Sequence, residues 1–144
     1  MDVEECKNKG IIRNTKIDTN LVKSLLEISD IKEESLKQVQ LNDITINAFL
    51  PIAYDSLREV LEAYCILHGF KVSNHICLGK LVKELNPQFD FILFDRLRYM
   101  RNGINYYGNK VDLEQGKEII TKIFLLKKDL LNNLEKWLAW AYYE

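Results

Sequence analysis

The sequence predicts an all-α fold, an up-and-down bundle of four or five helices. Apolar residues recur three and four positions apart through most of the chain, which is typical of helices that bury one face. No segment sustains the alternation of apolar and polar residues that indicates a half-buried strand. The chain has only two prolines and six glycines, so we expect long helices with short connections, which favour antiparallel neighbours.

A length of 144 residues is usual for one domain. We expect a single helical-bundle domain over residues 19–144. Residues 1–18 are polar and mixed in charge around Gly10, with a short apolar pair at Ile11 and Ile12. We interpret residues 1–18 as a loosely ordered N-terminal arm, which would dock on the bundle through those two isoleucines.

The first two helices are predicted to begin at polar residues that can accept a hydrogen bond from a free backbone N–H, near residues 19–20 and after residues 42–43. Pro51 either kinks the second helix or marks its true start, because its ring removes one hydrogen bond. Gly69 ends that helix in a position that favours glycine. The apolar stripe of the second helix comprises Phe49, Ala53, Leu57, Val60, Leu61, Tyr64 and Leu67.

Three further helices are predicted downstream. The third follows Asn74 and stops before Pro87, and the fourth spans about residues 88–107 and closes at Gly108. The fifth begins after Asp112 and is long. The aromatic residues near its end belong either to the core or to an exposed interaction patch; they are Trp137, Trp140, Tyr142 and Tyr143.

Charge and composition restrict the classes of function. The formal net charge is −1, which argues against a general nucleic-acid coat protein, so any site for a polyanion must be local. The chain begins without a signal peptide and has no apolar stretch of the roughly 20 residues that span a bilayer. We therefore expect a cytoplasmic protein that does not associate with a membrane.

The cysteines give no sign of a disulfide framework or a metal site. Cys6, Cys65 and Cys77 are odd in number and far apart, and no Cys/His spacing suits zinc. We expect buried, inert thiols, no metal and no cofactor.

The chemically informative segment is residues 95–108, DRLRYMRNGINYYG. On a helix, Leu97, Arg101, Ile104 and Asn105 share one face, because residues three and four apart are neighbours. This places the Arg101 guanidinium, a donor fork suited to phosphate, close to apolar surface. Other polar groups near it are Arg98 and Asn102. Gly103 inside a helix costs about 1 kcal/mol relative to alanine; a close approach of backbone or ligand, or a local kink, would explain it.

The run from Arg101 to Gly108 resembles the signature of the HEPN (higher eukaryotes and prokaryotes nucleotide-binding) family, an arginine, often followed by asparagine, with a histidine a few residues later. The stretch from Tyr54 to Ala63, the glycine turn at Gly69 and the histidine at His75 are also similar to HEPN helices. The resemblance covers roughly residues 43–140.

The resemblance implies a homodimer in which the two copies of Arg101 face a shared cleft. It also implies nucleotide or RNA as ligand and, in some systems of toxin–antitoxin type, a minimal nucleotidyltransferase as partner. Catalytic members are metal-independent ribonucleases that use the arginine and the histidine of the signature. Here Tyr106 stands in place of that histidine, and tyrosine titrates near pH 10. His75 is a possible substitute for the missing base.

Three functions stay open from the sequence. The first is a non-catalytic nucleotide- or RNA-binding module that contacts phosphate through Arg101, with Asn102, Asn105 and Arg98 beside it. The second is a metal-independent endoribonuclease of the toxin type, with Arg101 and Tyr106 as catalytic groups. The third is a structural interaction domain, in which Arg101 forms an ion pair with a core-edge carboxylate such as Asp95 or Glu62, or caps the C-terminus of a helix. Arg96 and Arg98 are expected on a solvated face.

Overall fold

The computed structural model describes the backbone of residues 1–143 and the side chains of residues 1–136. Within that part, six helices and two short strands follow one another in the order α1, β1, α2, α3, β2, α4, α5, α6. Their bounds are α1 Val3–Asn8, β1 Ile12–Asn14, α2 Thr19–Gln38, α3 Thr45–Leu67, β2 Phe70–Val72, α4 His75–Leu85, α5 Phe91–Tyr107 and α6 Leu113–Tyr143. The all-α prediction is confirmed. The aromatic residues from Trp137 onwards lie outside the described side chains.

Helix α3 is the centre of the bundle and packs against α2, α6, α4 and α5. It is buried on most of its surface, since its apolar residues are not confined to one stripe. Pro51 lies inside α3, six residues after its first residue, so it does not mark the start of the helix. The core on which these helices close includes Leu50, Leu57, Leu61, Leu78, Leu81, Leu97, Ile123, Leu130 and Leu134, all at most 2% exposed.

Local capping explains why the later helices begin and end where the sequence predicts. The Asn74 side chain accepts a hydrogen bond from the Cys77 N–H at 3.0 Å and so caps α4. Gly108 ends α5 in the left-handed region, at φ 66°. Gly69 follows α3 with φ 83° and leads directly into β2.

The prediction of a loosely ordered arm over residues 1–18 is wrong. Helix α1 begins at the Asp2 cap, and β1 pairs antiparallel with β2, with Ile12 opposite Val72. Cys6 and Ile12 are buried in the core. Non-local contacts order this segment, and the periodicity of so short a stretch does not reveal them. The same pairing accounts for the two strands that the sequence did not predict.

The prediction that the cysteines are unpaired thiols is also wrong for two of them. Cys6 in α1 and Cys77 in α4 form a disulfide with a Cα–Cα distance of 6.0 Å. Cys65 is the free cysteine, and burial raises the pKa of its thiol, which keeps it inert. The disulfide fastens the N-terminal segment to the helix that begins at His75.

Within the part of the chain that the structure describes, no helix combines the length and apolar character needed to cross a membrane.

Candidate functional site

The signature arginine, Arg101, lies against α3. Its side chain is 13% exposed, and its Nη2 is 3.5 Å from Asp55 Oδ1. The guanidinium carbon lies 5.4 Å from the centre of the Tyr54 ring and 5.8 Å from that of Tyr106, within the range of a cation–π contact. The prediction that Arg101 lies near apolar surface is therefore confirmed. The ion pair with a core-edge carboxylate that the structural alternative predicts is present, with Asp55 as the carboxylate and not Asp95 or Glu62.

The hydrogen-bonding capacity of Arg101 is only partly used. Nη1 donates to Asn102 Oδ1 at 3.2 Å. Nε is buried with no hydrogen-bond partner among the described residues, and the same is true of Asp55 Oδ1. A guanidinium carries five N–H donors, and a buried donor left unpaired costs about 1–3 kcal/mol. Arg101 therefore keeps unused hydrogen-bonding capacity at its buried Nε.

A second arginine shares the same carboxylate. Arg58 Nε lies 3.7 Å from Asp55 Oδ1, and Arg58 Nη1 donates to Glu62 Oε1 at 2.7 Å. Asp55 thus lies between two guanidinium groups, one from α3 and one from α5. We call Tyr54, Asp55, Arg58, His75 and Arg101 the Tyr54 cluster.

His75 belongs to this cluster through Tyr54. The Tyr54 hydroxyl and His75 Nδ1 share a hydrogen bond of 3.3 Å, so the Tyr54 side chain lies between the imidazole and Arg101. Burial, with the positive charges of Arg58 and Arg101, lowers the pKa of His75 to about 4. Burial also raises the pKa of Tyr54. Both rings are neutral at pH 7.

Lowering the pH from 7 to 5 is expected to reduce the free energy of unfolding by about 2 kcal/mol through His75 alone. The folded protein holds the pKa of His75 at about 4, whereas histidine in the unfolded chain titrates near pH 6.5. The unfolded chain therefore binds the proton first, and the contribution of His75 is lost as the pH falls from about 6.5 towards 4. Other groups that face His75 are Tyr54, Asp55 and Arg58 on α3 and Arg98 and Arg101 on α5.

Urea unfolding at pH 7 and pH 5 measures this effect when the wild type is compared with His75→Gln. The substitution removes the titrating ring and should reduce the pH-dependent loss of stability by about 2 kcal/mol. An equal loss in both proteins would show that His75 titrates alike in the folded and unfolded states.

An open cleft adjoins the Tyr54 cluster at the C-terminal half of α5. It has a volume of about 190 Å³. The residues that line it are Arg98, Tyr99, Asn102, Gly103, Tyr106, Tyr107 and Asn109, and we call it the tyrosine cleft. Its tyrosines are exposed, at 74% for Tyr99, 68% for Tyr106 and 77% for Tyr107. Asn102 and Tyr106 join the two sites, since both line the cleft and contact Arg101.

Two glycines of the segment 101–108 shape the cleft. Gly108 turns the chain at positive φ, and the Asn109 N–H then donates to the Gly103 carbonyl at 2.9 Å. A Cβ on Gly103 would lie 3.2 Å from Asn109 Nδ2. Gly103 therefore makes room for the Asn109 side chain on the surface of α5. This explains a glycine inside the helix by the close approach of a neighbouring residue.

Of the other predicted site residues, Arg98 lines the cleft, whereas Arg96 and Asn105 do not. Arg98 lines the cleft and is held by Asp95, whose Oδ1 is 3.0 Å from its Nη2, so the prediction of a solvated Arg98 is wrong. Arg96 is exposed, as expected. Asn105 is exposed and is not among the residues that line the cleft.

Sequence reasoning missed Tyr54 and Asp55 as site residues, and Tyr99, Tyr107 and Asn109 as lining of a cleft. Tyr54 is 0% exposed and falls at helical spacing among apolar residues, so the sequence indicates only a core position. The signal for the cleft was present in part, because Tyr99 and Tyr106 are seven residues apart and lie on the same face of a helix.

The chain matches no protein-family model, no curated protein and no solved structure. The resemblance to the HEPN family therefore stays a prediction from the sequence.

Proposed function

We propose that this protein is a HEPN-like module that binds nucleotide or RNA without catalysing a reaction, and that it works as a homodimer. The observation that carries the proposal is a largely buried arginine, Arg101, whose Nε has no hydrogen-bond partner among the described residues, next to a cleft of aromatic and amide side chains. Arginine forks bind phosphate through paired N–H donors, and tyrosine and asparagine side chains bind bases by stacking and hydrogen bonding. The Tyr54 cluster and the tyrosine cleft together offer both kinds of contact.

The state of the histidine supports binding rather than catalysis. Cleavage of RNA by its own 2′-hydroxyl needs a group that takes up a proton and a group that gives one. His75, with a pKa of about 4, is almost entirely deprotonated at pH 7 and cannot serve as a general acid there. It also already shares a hydrogen bond with Tyr54. Tyr106, in the position of the signature histidine, is exposed beside Arg101.

The alternative is a metal-independent endoribonuclease, and one observation favours it. His75 and Arg101 contact the same buried side chain, Tyr54, so an imidazole and a guanidinium belong to one cluster. Incubation of RNA with the protein in EDTA distinguishes this alternative from the proposed function, because only the ribonuclease would cleave the RNA.

The Arg101→Ala substitution is expected to weaken RNA binding about 10- to 150-fold, because a hydrogen bond to a charged group contributes about 1.5–3 kcal/mol. Fluorescence anisotropy with a labelled single-stranded RNA in EDTA measures the affinity. Removing one phosphate contact should also reduce the dependence of log affinity on log salt by about 0.7. Arg96→Ala is the matched control, because Arg96 is an exposed arginine on the same helix and its loss should have little effect.

Gel analysis of the same RNA after incubation in EDTA separates the three functions. Binding that Arg101→Ala weakens, with intact RNA throughout, supports the binding module. Cleavage by the wild type that Arg101→Ala abolishes would replace the module with the ribonuclease. A lower melting temperature of Arg101→Ala, with wild-type RNA affinity or with no RNA binding in either protein, would indicate a purely structural arginine.

The homodimer and a nucleotidyltransferase partner are proposals that the resemblance supplies. Light scattering at tens of micromolar tests the first, and a monomer at that concentration would exclude a shared cleft between two copies of Arg101. Addition of RNA to the same sample tests whether the ligand changes the oligomeric state.

A further inference from the structure

The tyrosine cleft is too small for a whole nucleotide. Pockets that enclose a small-molecule ligand usually measure about 300–1,000 Å³, whereas this cleft measures about 190 Å³. It is also open, because the three tyrosine rings at its wall are each more than two-thirds exposed. A ligand held here would insert one flat group and leave the rest of its structure outside.

The walls of the cleft suit a nucleobase. Tyr99, Tyr106 and Tyr107 line the cleft, and aromatic rings are groups on which a base can stack. The side-chain oxygen of Asn102, Oδ1, already accepts a hydrogen bond from Arg101. The side-chain NH2 group of Asn102 therefore remains to donate to acceptors on a base edge. Asn109, held over Gly103 by the turn at Gly108, adds a second amide.

Positive charge lies beside the cleft at Arg98 and Arg101. Arg98 is part of its lining, and Arg101 reaches it through Asn102 and Tyr106. A phosphate attached to the inserted base would lie towards these two arginines. The other rim of the cleft is formed by Tyr107 and Asn109.

We infer that the tyrosine cleft is a nucleobase subsite, and that the ligand of this protein is a single-stranded RNA that inserts one unpaired base there. The inference rests on the proposed function and narrows it. A base within a duplex is stacked on both sides and cannot enter a cleft of this kind, because recognition by stacking needs splayed bases. A free mononucleotide would gain one stacking contact and one phosphate contact but none of the neighbouring contacts of a strand.

The test compares three probes by fluorescence anisotropy. They are a labelled ten-nucleotide oligoadenylate, the same strand annealed to oligouridylate, and unlabelled AMP as competitor. Stacking of one base contributes about 1–3 kcal/mol by alanine substitution, a factor of about 5 to 150 in affinity. We expect the duplex and AMP to bind at least about 5-fold more weakly than the single strand.

Tyr107→Ala is the informative variant, because Tyr107 is 77% exposed and its loss leaves the core intact. We expect it to weaken single-strand binding about 5- to 150-fold, and Tyr107→Phe to retain the wild-type affinity because the ring persists. Ile92→Ala, which removes an exposed apolar side chain of the same helix away from the cleft, should have no effect.

The outcomes separate the subsite from the proposed function. If the wild type binds none of the probes, both are wrong. If Arg101→Ala weakens binding but the duplex binds as tightly as the single strand, or Tyr107→Ala has no effect, the protein binds RNA and the base subsite is wrong. If Tyr107→Ala changes the oligomeric state by light scattering and leaves RNA affinity unchanged, the cleft belongs to an interface between copies.

Discussion

Reduction of the disulfide between Cys6 and Cys77 is expected to lower the free energy of unfolding by about 4 kcal/mol. The bond joins residues 71 apart in sequence, and a cross-link that closes a loop of that length restricts the unfolded chain by roughly this amount. Urea unfolding with and without a phosphine reductant measures the difference. The double variant Cys6→Ser, Cys77→Ser should unfold at the same urea concentration in both conditions.

A thiol count in denaturant checks the premise independently. If the free thiols are blocked in denaturant at lysis, so that the buried Cys65 also reacts, no reactive thiol remains before reduction. Reduction should then expose two thiols, those of Cys6 and Cys77. Without blocking, one reactive thiol is expected before reduction, that of Cys65, and all three afterwards. Three reactive thiols in unreduced protein would contradict the disulfide.

The disulfide also shows where sequence reasoning stops. Helices α2 to α6 follow from local chemistry, since caps and apolar spacing within about 20 residues determine their ends, as at Asn74 and Gly108. Helix α1 and the two strands depend on partners far along the chain, because Cys6 meets Cys77 and Ile12 pairs with Val72. Three cysteines without a recognisable spacing do not predict which two of them meet.

The candidate site was predictable from the sequence only where its residues lie on one helix. Residues 98–106 share one helix, so their mutual positions follow from its periodicity, and the resemblance to the HEPN signature singled out Arg101 among them. The contact of Arg101 with Asp55, and that of His75 with Tyr54, join α5 and α4 to α3. These contacts depend on how three helices pack, and no local pattern encodes that packing.

Phe94→Ala is expected to lower the free energy of unfolding by about 3–5 kcal/mol, because it removes a large side chain from a closed core. The Phe94 ring is 0% exposed and stacks on Tyr54 with 6.0 Å between ring centres. On the side of α4, the Phe94 ring packs against the backbone at Gly79. A Cβ at that position would lie 2.6 Å from the ring, so only glycine leaves room for it. One side chain therefore fills the space where α3, α4 and α5 meet.

Chemical unfolding of Phe94→Ala, Phe94→Leu and Ile92→Ala measures this contribution. Ile92 lies two residues earlier on α5 and is 73% exposed, so its truncation should change stability by no more than about 0.5 kcal/mol. Phe94→Leu keeps most of the volume and should lose less than Phe94→Ala. If Phe94→Ala were no less stable than Ile92→Ala, the packing of α5 on α3 would be wrong, and with it the contact between Arg101 and Asp55. If the expected loss is found, the Phe94 ring packs in the core against Tyr54, and the Tyr54 cluster is held on that side by a core contact.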